Sequence, residues 1–449
     1  MTHSLAAALG ELAARGTHRF HMPGHKGVLP PPFDGAARID FTELGETGSL
    51  YTEQNGHIRM AEARCARLYG AQAALFLTGG ATQGVFAALA ALTKPGDTVA
   101  LDRNCHKSAL HALAMLGLRP LYLTRERLAP FGISAALTPR PLPEDIACVF
   151  LTCPTYYGVL SEDRAWRTES GREIPVIADA AHGAHLMFLP GGQSPLHGAR
   201  IAVCSAHKTL PALGQAAFML LSDARDAPRA RYMTSVFGTS SPSYPMLASM
   251  DGAFSALERD GKERWAEVGG FAESLRREFG SVLSLTHNAQ PKASIKIDAA
   301  RLCLYTGCGY RDALRIAEDF GVMCEMADDK NIVFILSPND TPESRKALRA
   351  AIGAVSPGSL GGTGTLAPLP LPETVLCPRE AFFAPREQIR LEKAAGRVAA
   401  EPLAPYPPGV PLVAPGEKID KKHIAILREL CYDGGEADFS ISVIKEEIL

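Results

Sequence analysis

The sequence lacks any sign of a disulfide scaffold. Only ten of its 449 residues are cysteines, and no two of them form a C-x-x-C pair. Small secreted domains that depend on disulfides carry far denser and more regularly spaced cysteines. We therefore expect free, buried thiols in a protein of a reducing compartment.

An excess of charge of one sign is also absent. The chain has 46 Lys and Arg residues against 48 Asp and Glu residues, which gives a formal net charge of −2. A nearly neutral chain without a basic cluster has no global field for binding nucleic acid or an anionic membrane surface. Neither a nucleic-acid partner nor a membrane partner is expected.

Long hydrophobic runs are missing as well. The longest apolar run, 85–92, has eight residues, whereas a membrane span needs about 20. The N-terminal segment 1–16 contains Glu11 and Arg15 and has neither a basic start nor a long apolar stretch. Because this is not the pattern of a signal peptide, a cytoplasmic location is expected.

What the sequence does contain is an alternation of short apolar strands and helices. Several of the strands are apolar along their whole length, as expected for strands that are covered on both faces. The alternation predicts an α/β domain with a mostly parallel sheet, in which ligands bind at the carboxyl ends of the strands. The predicted strands are 74–78, 98–101, 119–123, 146–153, 175–179, 199–204 and 216–221, and the predicted helices are 57–70, 82–92, 106–116 and 253–280.

The length allows two to four domains. We expect an irregular N-terminal arm over 1–60, a large domain over 61–280, a smaller α/β domain over 281–360 and a C-terminal module over 366–449. The smaller domain has predicted strands at 293–297 and 332–336 and predicted helices at 310–320 and 342–353. The C-terminal module is rich in proline, and a disordered tail is the alternative interpretation.

Three segments that follow strands carry candidate chemistry. The first is TGGATQG, residues 78–84, between a strand and a helix. Its glycines let the backbone turn tightly, and the free N–H groups at the start of the helix suit a phosphate, to which Thr82 adds a hydroxyl. A purely structural turn is the alternative. The TGGATQG segment is not a Walker loop, because no Gly-Lys-Ser/Thr follows it.

The second and third segments are PVIADAAHGAH (175–185) and VCSAHKTLPALGQ (203–215). Asp179 ends an apolar strand, where a dehydrated carboxylate needs a cationic partner. Helix capping is the alternative role. Lys208 closely follows another apolar strand, and a desolvated lysine has a lowered pKa and becomes a nucleophilic amine. A lysine that snorkels to the rim is the alternative.

The three segments together have one economical explanation, which is pyridoxal phosphate. Lys208 would hold the aldehyde as a Schiff base, and Asp179 would pair with the ring nitrogen and keep it protonated. The glycine-rich turn would bind the phosphate. No metal site is expected.

The sequence also resembles the fold-type-I Orn/Lys/Arg decarboxylases in their short form. The resembling stretches span nearly the whole chain, and the lysine motif, DRNCHKS and the tail motif are specific to that family. They are RFHMPGHKG (19–27), GGATQG (79–84), DRNCHKSALHAL (102–113), CPTYYGVL (153–160), ADAAHGAH (178–185), SAHKTLPALGQ (205–215), TSSPSYPMLASMD (239–251) and YPPGVPLVAPGE (406–417).

The resemblance implies a fold and a set of site residues. The fold would be an aspartate-aminotransferase-like large domain with a mostly parallel seven-stranded sheet, a smaller α/β domain and a C-terminal α+β module. His106 would stack on the cofactor ring, and His207 or Lys208 would return the proton to Cα. Further cofactor contacts would come from Gly80, Ala81, Thr82, His182, Ser205, His207, Thr239 and Ser240.

The resemblance also implies an assembly and an activity. Thr239 or Ser240 would reach the phosphate of the neighbouring subunit, so that a homodimer or larger homo-oligomer has its active sites at the subunit interface. Glu325 would face the distal amine of the substrate, with a surface acid as the alternative. The implied reaction is the decarboxylation of lysine, arginine or ornithine to an amine and CO₂.

Other activities stay open at this stage. An aldolase, a β-eliminating lyase or an aminotransferase can use the same fold, and Arg301, Arg311 and Arg345 lie where an aminotransferase would carry its carboxylate-binding arginine. A non-catalytic regulatory relative is the alternative from another class. Lys208 and Asp179 speak against it, because such a relative needs neither residue.

Overall fold

The computed structural model describes residues 4–52, 55–280, 296–356, 364–404, 409–430 and 440–448. The chain forms two compact units, one of residues 1–91 and 177–267 and the other of residues 92–176 and 268–449. Both units are discontinuous in sequence. The domain boundaries at 60, 280 and 360 that the sequence suggests stay a prediction.

The described strands and helices are numbered in chain order. The strands are β1 (Ala73–Leu77), β2 (Thr98–Asp102), β3 (Arg119–Leu123), β4 (Arg127–Ala129), β5 (Ile133–Ser134), β6 (Ile146–Thr152), β7 (Val176–Asp179), β8 (Ile201–Ser205), β9 (Ala217–Leu221), β10 (Arg301–Tyr305), β11 (Met326–Ala327), β12 (Asn331–Ile335), β13 (Gly364–Leu366), β14 (Arg386–Arg390) and β15 (Ser440–Ile444). The helices are α1 (Leu5–Ala14), α2 (Asp34–Ile39), α3 (His57–Tyr69), α4 (Gly80–Leu92), α5 (Lys107–Leu116), α6 (Ala206–Thr209), α7 (Ala227–Val236), α8 (Tyr244–Glu278), α9 (Gly309–Phe320), α10 (Pro342–Gly353), α11 (Pro378–Phe383) and α12 (Lys421–Leu430).

Seven strands form the main sheet, in the order β1-β9-β8-β7-β6-β2-β3. The pairs β2–β3, β2–β6 and β7–β8 are parallel, whereas β9 runs antiparallel to both β1 and β8. Every residue of β7, β8 and β9 is buried, as their uniformly apolar sequences predict. The expected seven-stranded, mostly parallel sheet is therefore confirmed.

The direction of β9 follows from the connection before it. The eleven residues 206–216 join β8 to β9, and a parallel return needs a crossover of a dozen or more residues. Since α6 is only one turn long, the chain turns back at the carboxyl end of β8 instead of crossing a face of the sheet. This turn carries the lysine motif.

The expectation of an irregular arm over the first 60 residues is wrong for two segments. Helix α1 is capped by the side chain of Ser4, which accepts a hydrogen bond from the backbone N–H of Ala7. It buries Leu5 and Leu9, and the Leu5 N–H donates to Asp251 Oδ2 at 2.6 Å. So short a helix is marginal by itself, and these tertiary contacts stabilise it together with the cap. Helix α2 is the other segment.

The second unit also contains three small sheets. Strands β10-β12-β11 form one, β13-β4-β5 another and β14-β15 the third. The predicted strand at 293–297 lies mostly outside the described residues, as does most of the Gly/Ser/Thr stretch at 357–365. Strand β10 was not expected from the sequence.

The Pro-rich tail is an ordered module, so the disordered alternative is wrong for its described residues. Strands β14 and β15, helix α12 and the described residues between β14 and α12 enclose a hydrophobic core, whose buried members include Leu391, Ala399, Leu403, Val413, Ile419, Leu427, Ile441 and Val443. Phe383, which lies in α11 and outside this core, is 60% exposed. In the part of the chain that the structure describes, no helix is long and apolar enough to cross a bilayer.

Candidate active site

The glycine-rich turn brings the N-terminus of α4 to the end of β1. Gly80 has φ +71°, a left-handed conformation that favours glycine. The Gln83 side chain accepts a hydrogen bond from the Gly79 N–H at 2.7 Å and donates one to the Thr234 carbonyl at 2.7 Å. The first N–H groups of a helix have no partner within it. Those of Ala81 and Thr82 are thus suited to an anion.

The last glycine of the motif serves close packing. A Cβ at Gly84 would lie 2.5 Å from Val203 Cγ1 and 2.6 Å from Leu77 Cδ1. Any larger residue would push α4 away from β1 and β8. The sequence motif therefore combines one glycine for a turn and one for helix–sheet contact.

Asp179 is the last residue of β7 and is buried. Its Oδ1 accepts a hydrogen bond from the Ala181 N–H at 3.1 Å. In the parallel pair of β7 and β8, Asp179 lies opposite Val203. The carboxylate and the lysine segment after β8 thus leave the same edge of the sheet.

Lys208 lies in α6, directly after β8, and contacts the segment that follows β7. Its Nζ is 2.9 Å from Nε2 of the buried His182. When the lysine is charged, it donates this hydrogen bond and the imidazole accepts it. The structure therefore brings Lys208 and His182 together.

One expectation about Lys208 needs correction. The sequence predicts a dehydrated amine, but the residue is exposed in the single chain. The reason is the position of α6, which lies beyond the end of the fully buried β8 rather than within the sheet. Residues of this chain alone do not dehydrate the amine.

His207 is held by a different contact. Its Nδ1 donates to the Ala216 carbonyl at 2.9 Å, which leaves Nε2 as the second ring position for proton exchange. Ser205, the last residue of β8, is buried. Gln215, in the same turn, has φ +78°. A Cβ on Gly80 would lie 3.7 Å from the Gln215 carbonyl oxygen, so the glycine turn and the lysine turn are neighbours.

Thr239 and Ser240 are exposed in the loop before α8. The Thr239 Oγ1 accepts a hydrogen bond from the Ser241 N–H at 3.1 Å. Within the described ranges, no hydrogen bond joins either residue to Asp179 or Lys208.

Two further predicted residues lie in the second unit. His106 caps α5, where its Nδ1 accepts the Ser108 N–H at 3.2 Å, and it is exposed. Glu325 is exposed and accepts a hydrogen bond from the Tyr156 hydroxyl at 2.6 Å. Tyr156 belongs to the CPTYYGVL motif, yet the sequence did not identify its contact with Glu325.

The donor set fits pyridoxal phosphate. A buried acid, an amine and a helix N-terminus lie at or directly after the carboxyl ends of β7, β8 and β1, which run in the same direction in the first unit. Two buried hydroxyls beside these segments, Thr78 Oγ1 and Thr209 Oγ1, have no hydrogen-bond partner among the described residues. Buried polar atoms are normally satisfied, and a bound phosphate ester would offer acceptors.

The described residues that could bind a metal do not form a cluster, unlike those that fit pyridoxal phosphate. Over the residues described by the structure, no cluster of three or more His, Cys, Asp or Glu side chains is suited to a metal ion.

The comparison with known families is decisive. The Orn/Lys/Arg decarboxylase major domain matches residues 4–307, and the C-terminal domain of the same family matches residues 367–432. The chain belongs to the Orn/Lys/Arg decarboxylase family. This confirms the family that the sequence motifs indicate, together with the expected enzyme class, an amino acid decarboxylase.

Relatives of this decarboxylase match it over nearly their full length. An uncharacterized protein of Bacillus subtilis, YaaO, is 32% identical over 96% of this chain and 94% of its own. An arginine decarboxylase of the same organism is 29% identical, with 94% and 92% covered. An arginine decarboxylase of Halalkalibacterium halodurans is 28% identical, with 95% and 94% covered.

Solved structures confirm the fold. The lysine decarboxylase LdcF of Francisella novicida superimposes with a TM-score of 0.84 at 18% identity and covers 98% of this chain and 81% of its own. An aspartate aminotransferase of Thermus thermophilus gives a TM-score of 0.52 at 16% identity, with 68% and 95% covered. The aspartate-aminotransferase-like fold is therefore that of this decarboxylase.

Two buried ion pairs near DRNCHKS escaped the sequence analysis. Asp102 pairs with Arg125, and Arg103 pairs with Glu417, both at 2.6 Å. The partners lie 23 and 314 residues apart, so no local pattern joins them. Asp102, Arg103 and Glu417 stand inside the family motifs, whereas Arg125 lies outside them.

Proposed function

We propose that this chain catalyses the pyridoxal-phosphate-dependent decarboxylation of a basic amino acid, lysine, arginine or ornithine, to the amine and CO₂. The observation that carries the proposal is the 2.9 Å contact of Lys208 Nζ with His182, at the strand edge where Asp179 also ends. Membership in the family supports it. When bound, the cofactor supplies a protonated ring that accepts the electrons of the bond broken at Cα.

Each residue in the first unit has a proposed task. Lys208 Nζ would hold the cofactor through its aldehyde. His182 orients that amine, and the buried carboxylate of Asp179 keeps a proton on the ring nitrogen. His207 or Lys208 returns a proton to Cα, a task for which the fixed Nδ1–H of His207 leaves Nε2 available.

The remaining cofactor contacts are proposed from the family motifs and from local geometry. The backbone of Gly80, Ala81 and Thr82 binds the phosphate at the N-terminus of α4. Ser205 is a further cofactor contact beside the lysine turn. His106 stacks on the ring face.

The proposed substrate carries a second positive charge. Glu325 offers a carboxylate to that charge, and the Tyr156 hydroxyl fixes its orientation. The sequence relatives named above include arginine decarboxylases, and the solved structures similar in fold include a lysine decarboxylase. We therefore place the amine product in polyamine biosynthesis in the cytoplasm.

The proposed assembly is a homodimer or a larger homo-oligomer. Exposure of Lys208 in the single chain supports it, because a neighbouring subunit would exclude water from the amine. Thr239 or Ser240, also exposed, would reach the phosphate in that subunit. Size-exclusion chromatography with light scattering tests this proposal, and a monomer with full activity would contradict it.

The Lys208→Ala variant tests the cofactor proposal. We expect loss of the cofactor absorbance band near the visible and loss of CO₂ release, because the amine that holds the aldehyde is gone. Lys262→Ala, at an exposed lysine of α8, is the matched control and should keep both. An unchanged spectrum in Lys208→Ala would refute the assignment.

The substrate proposal needs a separate experiment. Purified protein is incubated with lysine, arginine, ornithine and neutral amino acids, and the amine product is identified by mass spectrometry. Formation of a keto acid without CO₂ would indicate an aminotransferase instead. If Glu325 contacts the distal charge, Glu325→Gln raises KM for the basic substrate about tenfold and changes kcat little; an unchanged KM contradicts this role.

A further inference from the structure

The loop between β2 and α5, residues 103–106, is held in place by hydrogen bonds, an ion pair and burial at nearly every residue. Just before it, the buried Asp102 pairs with Arg125 and accepts the Asn104 N–H at 2.9 Å. Asn104 Oδ1 accepts the Ser134 hydroxyl at 3.0 Å, and Cys105 is buried. The loop ends at His106, which caps α5. The position of His106 therefore depends on what holds these residues.

Arg103 is the loop residue that contacts the C-terminal module. Its Nη1 and Nη2 donate to the two carboxylate oxygens of Glu417 at 3.0 and 2.6 Å, and Nη2 also donates to the Leu412 carbonyl at 3.0 Å. The guanidinium stacks on the Tyr122 ring at 4.5 Å. Such a bidentate pair fixes direction as well as distance.

Glu417 is almost completely buried, with 1% of its side chain exposed. Its Oε2 accepts the Ala414 N–H at 2.6 Å, so the backbone of the module itself also holds the carboxylate. Burial raises the pKa of Glu417, and the charge of Arg103 opposes that rise. Burial lowers the pKa of His423 in the same module, and the charge of Arg103 lowers it further.

The same module contacts the other end of α5. Arg379, in α11, donates to the carbonyls of Ala114 and Met115 at 3.2 and 3.0 Å. The rings of His111 and Phe382 lie 6.3 Å apart. The C-terminal module thus holds α5 at its last turn and, through Arg103, at the loop before its first turn.

We propose that Glu417 is a positioning residue that fixes His106 through Arg103 and the loop 103–106. This inference rests on the proposed role of His106 as the residue that stacks on the cofactor. It gives the C-terminal module a task in the reaction, which is to set the position of His106 within its own unit. The described part of the tail motif, 409–417, ends in Glu417, and Glu417 contacts Arg103 of DRNCHKS.

The first test does not depend on the reaction. Hydrogen–deuterium exchange of a peptide that covers residues 102–110 is compared in the holoenzyme, Glu417→Gln and Glu373→Gln. Glu373 is a matched control, since it forms an exposed ion pair with Lys418 in the same module. We expect several-fold faster exchange of the peptide in Glu417→Gln only. Equal exchange in all three proteins would overturn the proposal.

The second test measures the kinetics and the cofactor spectrum of the proposed active site. In Glu417→Gln, kcat should fall by up to about a hundredfold with KM little changed, because a shift of about 1 Å in a positioned group costs that much. The visible circular dichroism of the cofactor should change as it does in His106→Ala. In the double variant Glu417→Gln/His106→Ala, the two losses should not multiply.

The outcomes separate the two proposals. If His106→Ala lowers kcat and Glu417→Gln does not, positioning by Glu417 is wrong and the function of His106 stands. If His106→Ala has no effect while Glu417→Gln lowers kcat, or if the losses multiply, Glu417 does not act through His106. Should Glu417→Gln fail to fold, Arg103→Lys keeps the charge and removes the bidentate geometry, and the same measurements apply.

Discussion

Replacement of Gly84 by alanine tests the packing of α4 against the main sheet. The added Cβ would lie 2.5 Å from Val203 Cγ1 and 2.6 Å from Leu77 Cδ1, about 1 Å closer than ordinary contact. Val203 and Leu77 are fully buried in β8 and β1, so neither side chain can move into solvent. The helix or the strands must shift, and overpacking of this kind costs about 1–3 kcal/mol.

The helix itself opposes this cost. Alanine is about 1 kcal/mol more favourable than glycine inside a helix, so the Gly84 variant alone mixes two effects. Gly252→Ala, in α8, has the same propensity gain and no atom within 4 Å of the new Cβ. The difference between the two variants therefore isolates packing, at about 1–3 kcal/mol.

Urea unfolding of both variants and the parent holoenzyme measures this difference. We expect Gly252→Ala to be slightly more stable than the parent and Gly84→Ala to be less stable than Gly252→Ala, with equal slopes. The shift of α4 should also weaken phosphate binding, seen as a higher cofactor dissociation constant. If Gly84→Ala is as stable as Gly252→Ala, the helix does not lie where the structure places it.

Two further predictions concern buried charge and buried thiols. Asp102→Asn should lower the free energy of unfolding by about 3–5 kcal/mol, because it leaves the Arg125 charge buried without its carboxylate. The control Glu173→Gln, in the exposed pair with Arg167, should lower it by less than about 1 kcal/mol. Equal losses in the two variants would show that burial of the ion pair does not decide the cost. Burial raises the pKa of the Cys148 thiol from 9.0 to about 12. The folded protein keeps this thiol neutral while the unfolded chain ionises it, so the free energy of unfolding should fall as the pH rises from about 9 to about 12. The fall should be smaller in Cys148→Ser. Urea titrations across that pH range that show no difference between the parent and Cys148→Ser would contradict the assignment.

Much of the main sheet was predictable because its strands are short and uniformly apolar. The predicted strand at 119–123 and the predicted helix at 342–353 have the bounds of β3 and α10. Gly70 marks the end of α3, where it adopts φ +65°. These features depend on local preferences, which the sequence states directly.

The local signals failed where distant contacts decide the structure. Helix α1 depends on Asp251, far along the chain. Strand β10 pairs with β12, and its charged first residue, Arg301, hides it from a search for apolar runs. In each case the stabilising partner lies outside the window from which a prediction is made.

The candidate site divides in the same way. Sequence motifs predicted that Lys208, Asp179 and the glycine turn follow strands, and the topology brings the three segments to one edge of the sheet. The sequence did not predict that Lys208 would contact His182, or that Tyr156 would hold Glu325. Its prediction of a dehydrated amine was wrong for the single chain.

The sequence by itself determined the family, the order of strands and helices along the chain and the residue types at the strand ends, because these depend on local pattern and short motifs. Only the tertiary structure decided which charges meet. The pairs Asp102–Arg125 and Arg103–Glu417 join residues that are far apart in the chain, and their geometry exists only when the sheet and the C-terminal module are folded. A buried ion pair is favourable only with such geometry, since otherwise the cost of removing both charges from water exceeds their attraction.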